Sequence, residues 1–176
     1  QIQLKSRIVR AWQKRQFMQE ANKLLEQNDV NGAIDKIEEL LGSPSHYKGQ
    51  CEQLLVELYW RDNQPEKALD VLREYINGKP VLWAQIALGK TYLQLKEYEK
   101  AISVAKRTLK KNRFSADAHD IIAQATQAQG QGETALEAIK EAIKLSPFSL
   151  PRHFNACDIA RANQDLVLAA NSSQAI

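Results

Sequence analysis

His153 and Cys157 form the arrangement in this sequence that comes nearest to a metal site. The two residues are four positions apart, and this spacing brings side chains together on one face of a helix. A structural zinc ion takes four ligands, and no further Cys or His stands at ligand spacing to complete the set. His46 and His119 are equally isolated. We therefore expect ordinary packing roles for these side chains, with neither a metal nor a cofactor.

Two pairs of carboxylates have the residue types for acid–base chemistry: Glu38 with Glu39, and Asp117 with Asp120. Such chemistry needs a closed, water-poor cleft that shifts the pKa of one carboxyl group away from that of the other. We expect both pairs to lie on helices exposed to water. The sequence also has no glycine-rich phosphate loop and no nucleophile elbow. It therefore predicts a protein that is not an enzyme.

A small residue recurs at nearly constant spacing along the whole chain. The positions are Ala33, Ala68, Ala101, Ala135 and Ala169, so that each lies about 34 residues after the one before it. This period is typical of arrays of antiparallel helix pairs. In each pair the small side chain lets the second helix approach the first closely, and a bulky residue there would overpack the contact. We expect Gly89 to serve the same contact from the first helix.

The apolar periodicity and the turn residues predict ten helices and no strand. The expected helices cover residues 4–28, 31–41, 49–61, 65–77, 81–95, 98–111, 116–129, 133–145, 151–163 and 166 to the end. The fold class is therefore all-α, a right-handed superhelical array of four to five antiparallel helix pairs. A long basic opening helix (1–28) merges into a repeat domain (14–176). Its repeats cover residues 14–47, 48–81, 82–115, 116–149 and 150–176.

The third pair closely resembles a tetratricopeptide repeat (TPR). The residues that carry this resemblance are Leu88, Gly89, Tyr92, Tyr98 and Ala101. The fourth pair matches at Gly130, Ala135, Ala142 and Pro147, whereas the first and last pairs match weakly. The last pair has Asn163-Gln164-Asp165 where the family has a glycine-like turn. The resemblance implies a scaffold that binds other proteins.

Three segments also resemble the TPR output region of bacterial two-component response regulators. They are residues 80–89, residues 145–153 with 163–166, and the basic opening segment 5–15. This resemblance implies an adaptor in signal transduction that is controlled by phosphorylation. It also implies a receiver domain that is not in this chain, and the absence of an initiator Met favours a piece of a longer protein.

Composition agrees with a cytoplasmic interaction protein. The formal net charge of +3 falls short of the strongly basic balance typical of nucleic-acid binders. Cys51 and Cys157 are far apart in sequence and are expected to be reduced thiols in a reducing compartment. The sequence has no apolar run of the ~20 residues that a membrane span needs and no signal peptide.

The first helices of successive pairs are expected to line a concave groove that binds a protein partner. The residues expected to project into it are Gln53, Glu57, Trp60, Trp83, Ile86, Lys90, Leu93, Asp120, Gln124, Phe154 and Arg161. Aromatic anchors among polar groups are typical of binding surfaces. Equally, Trp60, Trp83 and Phe154 would suit the packing between repeats. The basic set that clamps a peptide carboxylate in some TPR proteins is missing.

The opening helix is the second candidate interface, with Leu4, Ile8 and Trp12 at helical spacing. These residues would dock a receiver domain or a second copy of the chain, forming a homodimer, or they would only cap the first repeat. A further basic run follows at Lys106–Arg113. It suits either a solvated helix end or an acidic partner. The alternative function is nucleic-acid binding through the opening helix and this run, although the modest net charge argues against it.

Overall fold

The computed structural model describes the backbone of residues 2–42, 49–77 and 81–176, and side chains at Trp12 and from Arg15 onward within these ranges. Within them the chain forms ten α-helices and no strand, which confirms the all-α prediction. The helices are α1 (Ile2–Glu26), α2 (Val30–Gly42), α3 (Gln50–Arg61), α4 (Pro65–Ile76), α5 (Leu82–Gln94), α6 (Tyr98–Lys111), α7 (Ala116–Ala128), α8 (Gly132–Leu145), α9 (Leu150–Ala162) and α10 (Leu166–Gln174). Each boundary lies within two residues of its predicted position.

The chain divides into two compact units, residues 1–79 and residues 80–176. In unit 1, α1 packs on α2, α2 on α3 and α3 on α4. In unit 2, each helix from α5 to α9 packs on the one that follows it, and α7 additionally contacts both α5 and α9. The first helices of three successive pairs therefore lie side by side in unit 2.

The turn inside every helix pair has the same backbone geometry. One residue of each turn has a left-handed φ between 55° and 76°, and these residues are Asn28, Asn63, Lys96, Gly130 and Gln164. The residue that follows donates its N–H back to the first helix at 2.8–2.9 Å, as from Asp165 to the carbonyl of Ala160. This bond satisfies a carbonyl at the end of the first helix. The last pair therefore forms the common turn without a glycine.

The repeated alanines are completely buried, with one exception. Ala33, Ala68, Ala101 and Ala135 have no exposed surface, as the period predicts. Ala169 is only partly buried. It lies on α10, which packs on α9 alone among the described helices.

Gly89 serves a different contact from the one that the sequence suggests. A Cβ atom added there would lie 2.9 Å from Cδ1 of Ile121 on α7. The glycine therefore makes room for the first helix of the next pair, and the expectation that it faces its own second helix is wrong. The close approach of α5 and α7 follows from this missing side chain.

Candidate functional site

Helices α5, α7 and α9 present one surface of unit 2, which we name the first-helix face. Hydrogen bonds join equivalent ends of neighbouring helices across it. Near their C-terminal ends, Asn163 Nδ2 donates to Gln127 Oε1 at 2.6 Å. Near the N-terminal ends, Arg152 Nη2 donates to Asp117 Oδ1 at 3.1 Å. Helices α7 and α9 therefore run parallel to each other, as successive first helices of a repeat array do.

Asp120 occupies the middle of the first-helix face and is only 8 % exposed. Its Oδ1 accepts hydrogen bonds from Asn155 Nδ2 at 3.1 Å and from Gln124 Nε2 at 3.2 Å. Burial raises the pKa of this carboxyl group above its ordinary value, while the bonds from Gln124 and Asn155 and the charges of Arg152 and Lys90 oppose the shift. Desolvation is thus the dominant effect on this group.

Arg152 lies close to both Asp120 and Asp117. Its side chain is buried, and its Nε lies 3.9 Å from Oδ2 of Asp120. Its guanidinium group also bonds Asp117, which forms a second ion pair with Nζ of Lys90 at 3.7 Å. Cations and carboxylates therefore neutralise each other within this surface. The charges of these four residues are therefore compensated within the molecule.

The expectation that Asp117 and Asp120 both lie on water-exposed helix surfaces is wrong for Asp120. Burial alone does not make it catalytic, because its described neighbours are an arginine and two amides, with no second carboxyl group bonded to it. Sequence reasoning missed Arg152 and Asn155, although the repeat period could have found them. Each of these residues follows its aspartate partner by 35 positions, which is one repeat.

The other residues predicted for the face in unit 2 differ in accessibility. Phe154 is 55 % exposed, and Arg161 is exposed on the same helix. Trp83 and Leu93 are half-buried on α5. Ile86 is buried, so its side chain belongs to the packing. Phe154 and Arg161 are therefore the most accessible of the residues predicted for this face.

The predicted site residues of unit 1 lie on α3 and on the opening helix. Gln53 and Glu57 are exposed, and Gln53 Nε2 donates to Glu57 Oε1 at 3.5 Å. Trp60 is half-buried. On α1, Trp12 is 61 % exposed, whereas the side chains of Leu4 and Ile8 lie outside the described residues.

His153 and Cys157 make separate contacts. His153 Nε2 lies 2.7 Å from the carbonyl oxygen of Pro147, and Cys157 Sγ lies 3.4 Å from Oγ of Ser173. Among the residues that the structure describes, no group of three potential ligands could hold a metal ion. His46 lies outside them. Neither Cys51 nor Cys157 forms a disulfide, and none of the described helices is both long and apolar enough to cross a lipid bilayer.

Comparison with known proteins identifies the repeat. Residues 84–110 match the family model of the tetratricopeptide repeat. No curated protein matches this chain.

Among solved structures, the chain is similar to TTC0263, a thermophilic TPR protein of Thermus thermophilus. The identity is 16 %, the TM-score is 0.73, and the alignment covers 92 % of this chain and 89 % of the other. It is also similar to MamA (41-end) from Desulfovibrio magneticus RS-1, with 18 % identity, a TM-score of 0.67, and coverage of 91 % and 90 %. The chain therefore has the fold of a tetratricopeptide repeat array.

Proposed function

We propose that this chain is a non-catalytic scaffold that binds a protein partner on the first-helix face of unit 2. The observation that carries the proposal is Phe154, a large apolar side chain that is 55 % exposed on a helix whose residues Arg152 and Asn155 bond to α7. Exposed aromatic anchors of this kind contribute much of the binding energy in protein interfaces. Arg161, which lies seven positions further along α9, adds a cation to the same surface.

The hydrogen bonds made by residues close to Phe154 in sequence support this role. Asn155 bonds Asp120, and Arg152 bonds Asp117, so the residues on both sides of Phe154 in sequence are fixed. The backbone that carries Phe154 is therefore held against α7 before a partner binds. Preorganisation of this kind raises affinity because the ordering cost is already met in the free protein.

Capture of proteins from a lysate of the source cell tests this proposal. The chain is compared with the double variant Phe154→Ala/Arg161→Glu and with Leu166→Ala. Leu166 is 76 % exposed on α10 and supplies the matched control. We expect a partner that the double variant loses and the control keeps, with unchanged thermal melting of both. Identical capture by all three proteins would contradict the proposal.

We further propose that the chain is the output module of a cytoplasmic signalling protein of the response-regulator type. The support is the resemblance of segments 5–15, 80–89 and 145–153. The residues encoded before Gln1 test it. We expect a five-stranded α/β receiver with a phosphorylatable Asp and a loop that contains Lys. A different domain at that place would remove the regulatory part and leave the scaffold.

The opening helix is proposed to mediate self-association. Its support is Trp12, whose large apolar side chain is 61 % exposed. Sedimentation of the chain and of Trp12→Glu tests the proposal, with a dimer expected for the first and a monomer for the second. Monomers in both would eliminate the homodimer.

Nucleic-acid binding is the alternative function, and the exposed cations of Lys106–Arg113 are the feature that supports it. It predicts that labelled RNA or DNA binds at low salt with an affinity that falls steeply as salt is added. Absence of binding at low salt would exclude this alternative.

A further inference from the structure

A basic edge of unit 2 lies where α6 ends and α7 begins. We define it by five cations and two aromatic residues: Lys106, Arg107, Lys110, Lys111, Arg113, Phe114 and Phe148. All seven side chains are exposed. Among the described residues, none of the five cations forms an ion pair, whereas Lys90, Lys100, Lys140 and Lys144 of the same unit all do.

The two phenylalanines lie on equivalent turns of successive repeats. Phe114 stands two residues before α7 and is 63 % exposed, and Phe148 stands two residues before α9 and is 95 % exposed. The guanidinium group of Arg113 lies 4.7 Å from the centre of the Phe114 ring. Since α7 and α9 pack directly and run parallel, we expect the two rings about 8–10 Å apart, the usual distance between packed helices.

The opposite edge of the same helices has fewer cations without an ion pair among the described residues, with Lys96 exposed in the turn after α5. There the carboxylate of Glu97 pairs with Lys100, and that of Asp165 pairs with Lys140. These charges are compensated inside the molecule. The basic edge thus combines positive charge, which no described carboxylate compensates, with two apolar side chains that are largely exposed.

We propose that the basic edge binds an acidic protein segment that carries two apolar side chains. The unpaired cations supply the complementary charge, and the two rings supply apolar anchors. The cations are confined to the end of α6 and its turn, because near Phe148 the nearest cation on α8, Lys144, already pairs with Glu141 at 3.5 Å. A nucleic acid or an anionic bilayer favours positive charge around both rings, whereas a short acidic segment needs it only at one end.

The spacing of the rings sets the spacing of the partner's apolar residues. In a helical segment, residues seven positions apart are about 10 Å apart along the axis. The probe is therefore a fluorescein-labelled helical peptide rich in Glu, with two Leu residues seven positions apart. A second peptide of the same charge has Ser in place of both Leu residues and is the matched control.

Fluorescence anisotropy at near-physiological salt measures the binding of both peptides to the chain. We expect the Leu peptide to bind roughly tenfold more tightly than the Ser peptide. The variant Phe148→Ser should remove this difference, and Lys110→Glu/Lys111→Glu should weaken binding of both peptides. Leu166→Ser changes an exposed apolar residue at the opposite edge and should change neither affinity. All of these substitutions are at exposed positions, and thermal melts verify that the variants fold.

Three results would overturn the proposal. Equal binding of the two peptides would mean that only charge is recognised. Loss of binding in Phe154→Ala, with no loss in Phe148→Ser, would place the peptide on the first-helix face and leave the scaffold function standing. Tighter binding of single-stranded RNA, or of vesicles with about 30 % phosphatidylserine, than of the Leu peptide would assign the edge to another class of partner.

Discussion

The first-helix face and the basic edge of unit 2 both carry many charged groups, but they use them differently. On the face, Arg152 lies against Asp117 and Asp120, and Lys90 lies near Asp117. At the edge, the five cations from Lys106 to Arg113 have no ion pair among the described residues. These four residues of the face compensate each other's charges, whereas the edge leaves its charges to solvent or to a partner.

This difference shows why charge alone is a poor guide to function in a repeat array. A buried ion pair fixes the position of neighbouring helices and is costly to break from one side. An exposed cation contributes little to stability but attracts partners of opposite charge. Substitutions in the ion-pair network of the face should therefore change stability first, and substitutions of the exposed cations at the edge should change mainly binding.

The largest effect is expected where the array itself is disrupted, since both surfaces depend on it. Ala101 has no exposed surface, so Ala101→Arg must bury a charge and overpack the α5–α6 contact. We expect a loss of about 4 kcal/mol or more in the free energy of unfolding. The adjacent exposed substitution Lys100→Arg should change it by less than about 0.5 kcal/mol. Urea unfolding measures both, and equal effects would mean that the helix phase is wrong.

The second-largest change in unfolding free energy is expected on the first-helix face, and the matching substitution at the basic edge should change it much less. Arg152→Ala leaves Asp120 buried without its guanidinium neighbour, and we expect a loss of about 3 kcal/mol. Arg113→Ala at the basic edge removes an exposed cation and a contact with Phe114, so the loss should be only about 0.5 kcal/mol. Thermal and urea unfolding of both variants provide the measurement. Similar losses would show that the two sets of charges do not differ as described.

A smaller effect concerns the pH dependence of stability. Burial raises the pKa of Asp120, so the folded protein holds this proton more tightly than the unfolded chain does. The stability that this group contributes is present below the ordinary pKa of Asp and is lost as pH rises through the higher, folded-state value. Asp120→Asn should remove that loss. In urea unfolding from pH 3.5 to pH 7, the stability of the original chain relative to the variant should fall as pH rises. A rise would contradict the shift.

The smallest effect on stability is expected at the edge opposite the basic one. Lys140 Nζ lies 2.6 Å from Oδ2 of Asp165, and this bond, followed by the one from the N–H of Leu168, lowers the pKa of the aspartate. Lys140→Met should raise that pKa, as measured by NMR titration of the carboxyl group. Stability should barely change because Lys140 is exposed to solvent and Asp165 is partly so. An unchanged pKa would show that the bond from Leu168 is sufficient.

The sequence predicted the helices closely because their determinants are local. Apolar periodicity and turn residues fix where each helix begins and ends, and the spacing of Ala33, Ala68, Ala101 and Ala135 anticipated their burial. Two features differ from expectation because each depends on a neighbouring element. Gly89 faces α7, and Asp120 is buried.

By itself, the sequence determined that this chain is an all-α array of helix pairs, because a small residue that recurs at about 34 residues admits few other arrangements. Only the tertiary structure decided which charges are compensated. Arg152 pairs with Asp117 because α9 packs parallel to α7. The cations from Lys106 to Arg113 lie at the end of α6 and form no ion pair with a carboxylate of the described chain. Packing brings together residues one repeat apart, and the distance between side chains then determines whether two charges form a pair.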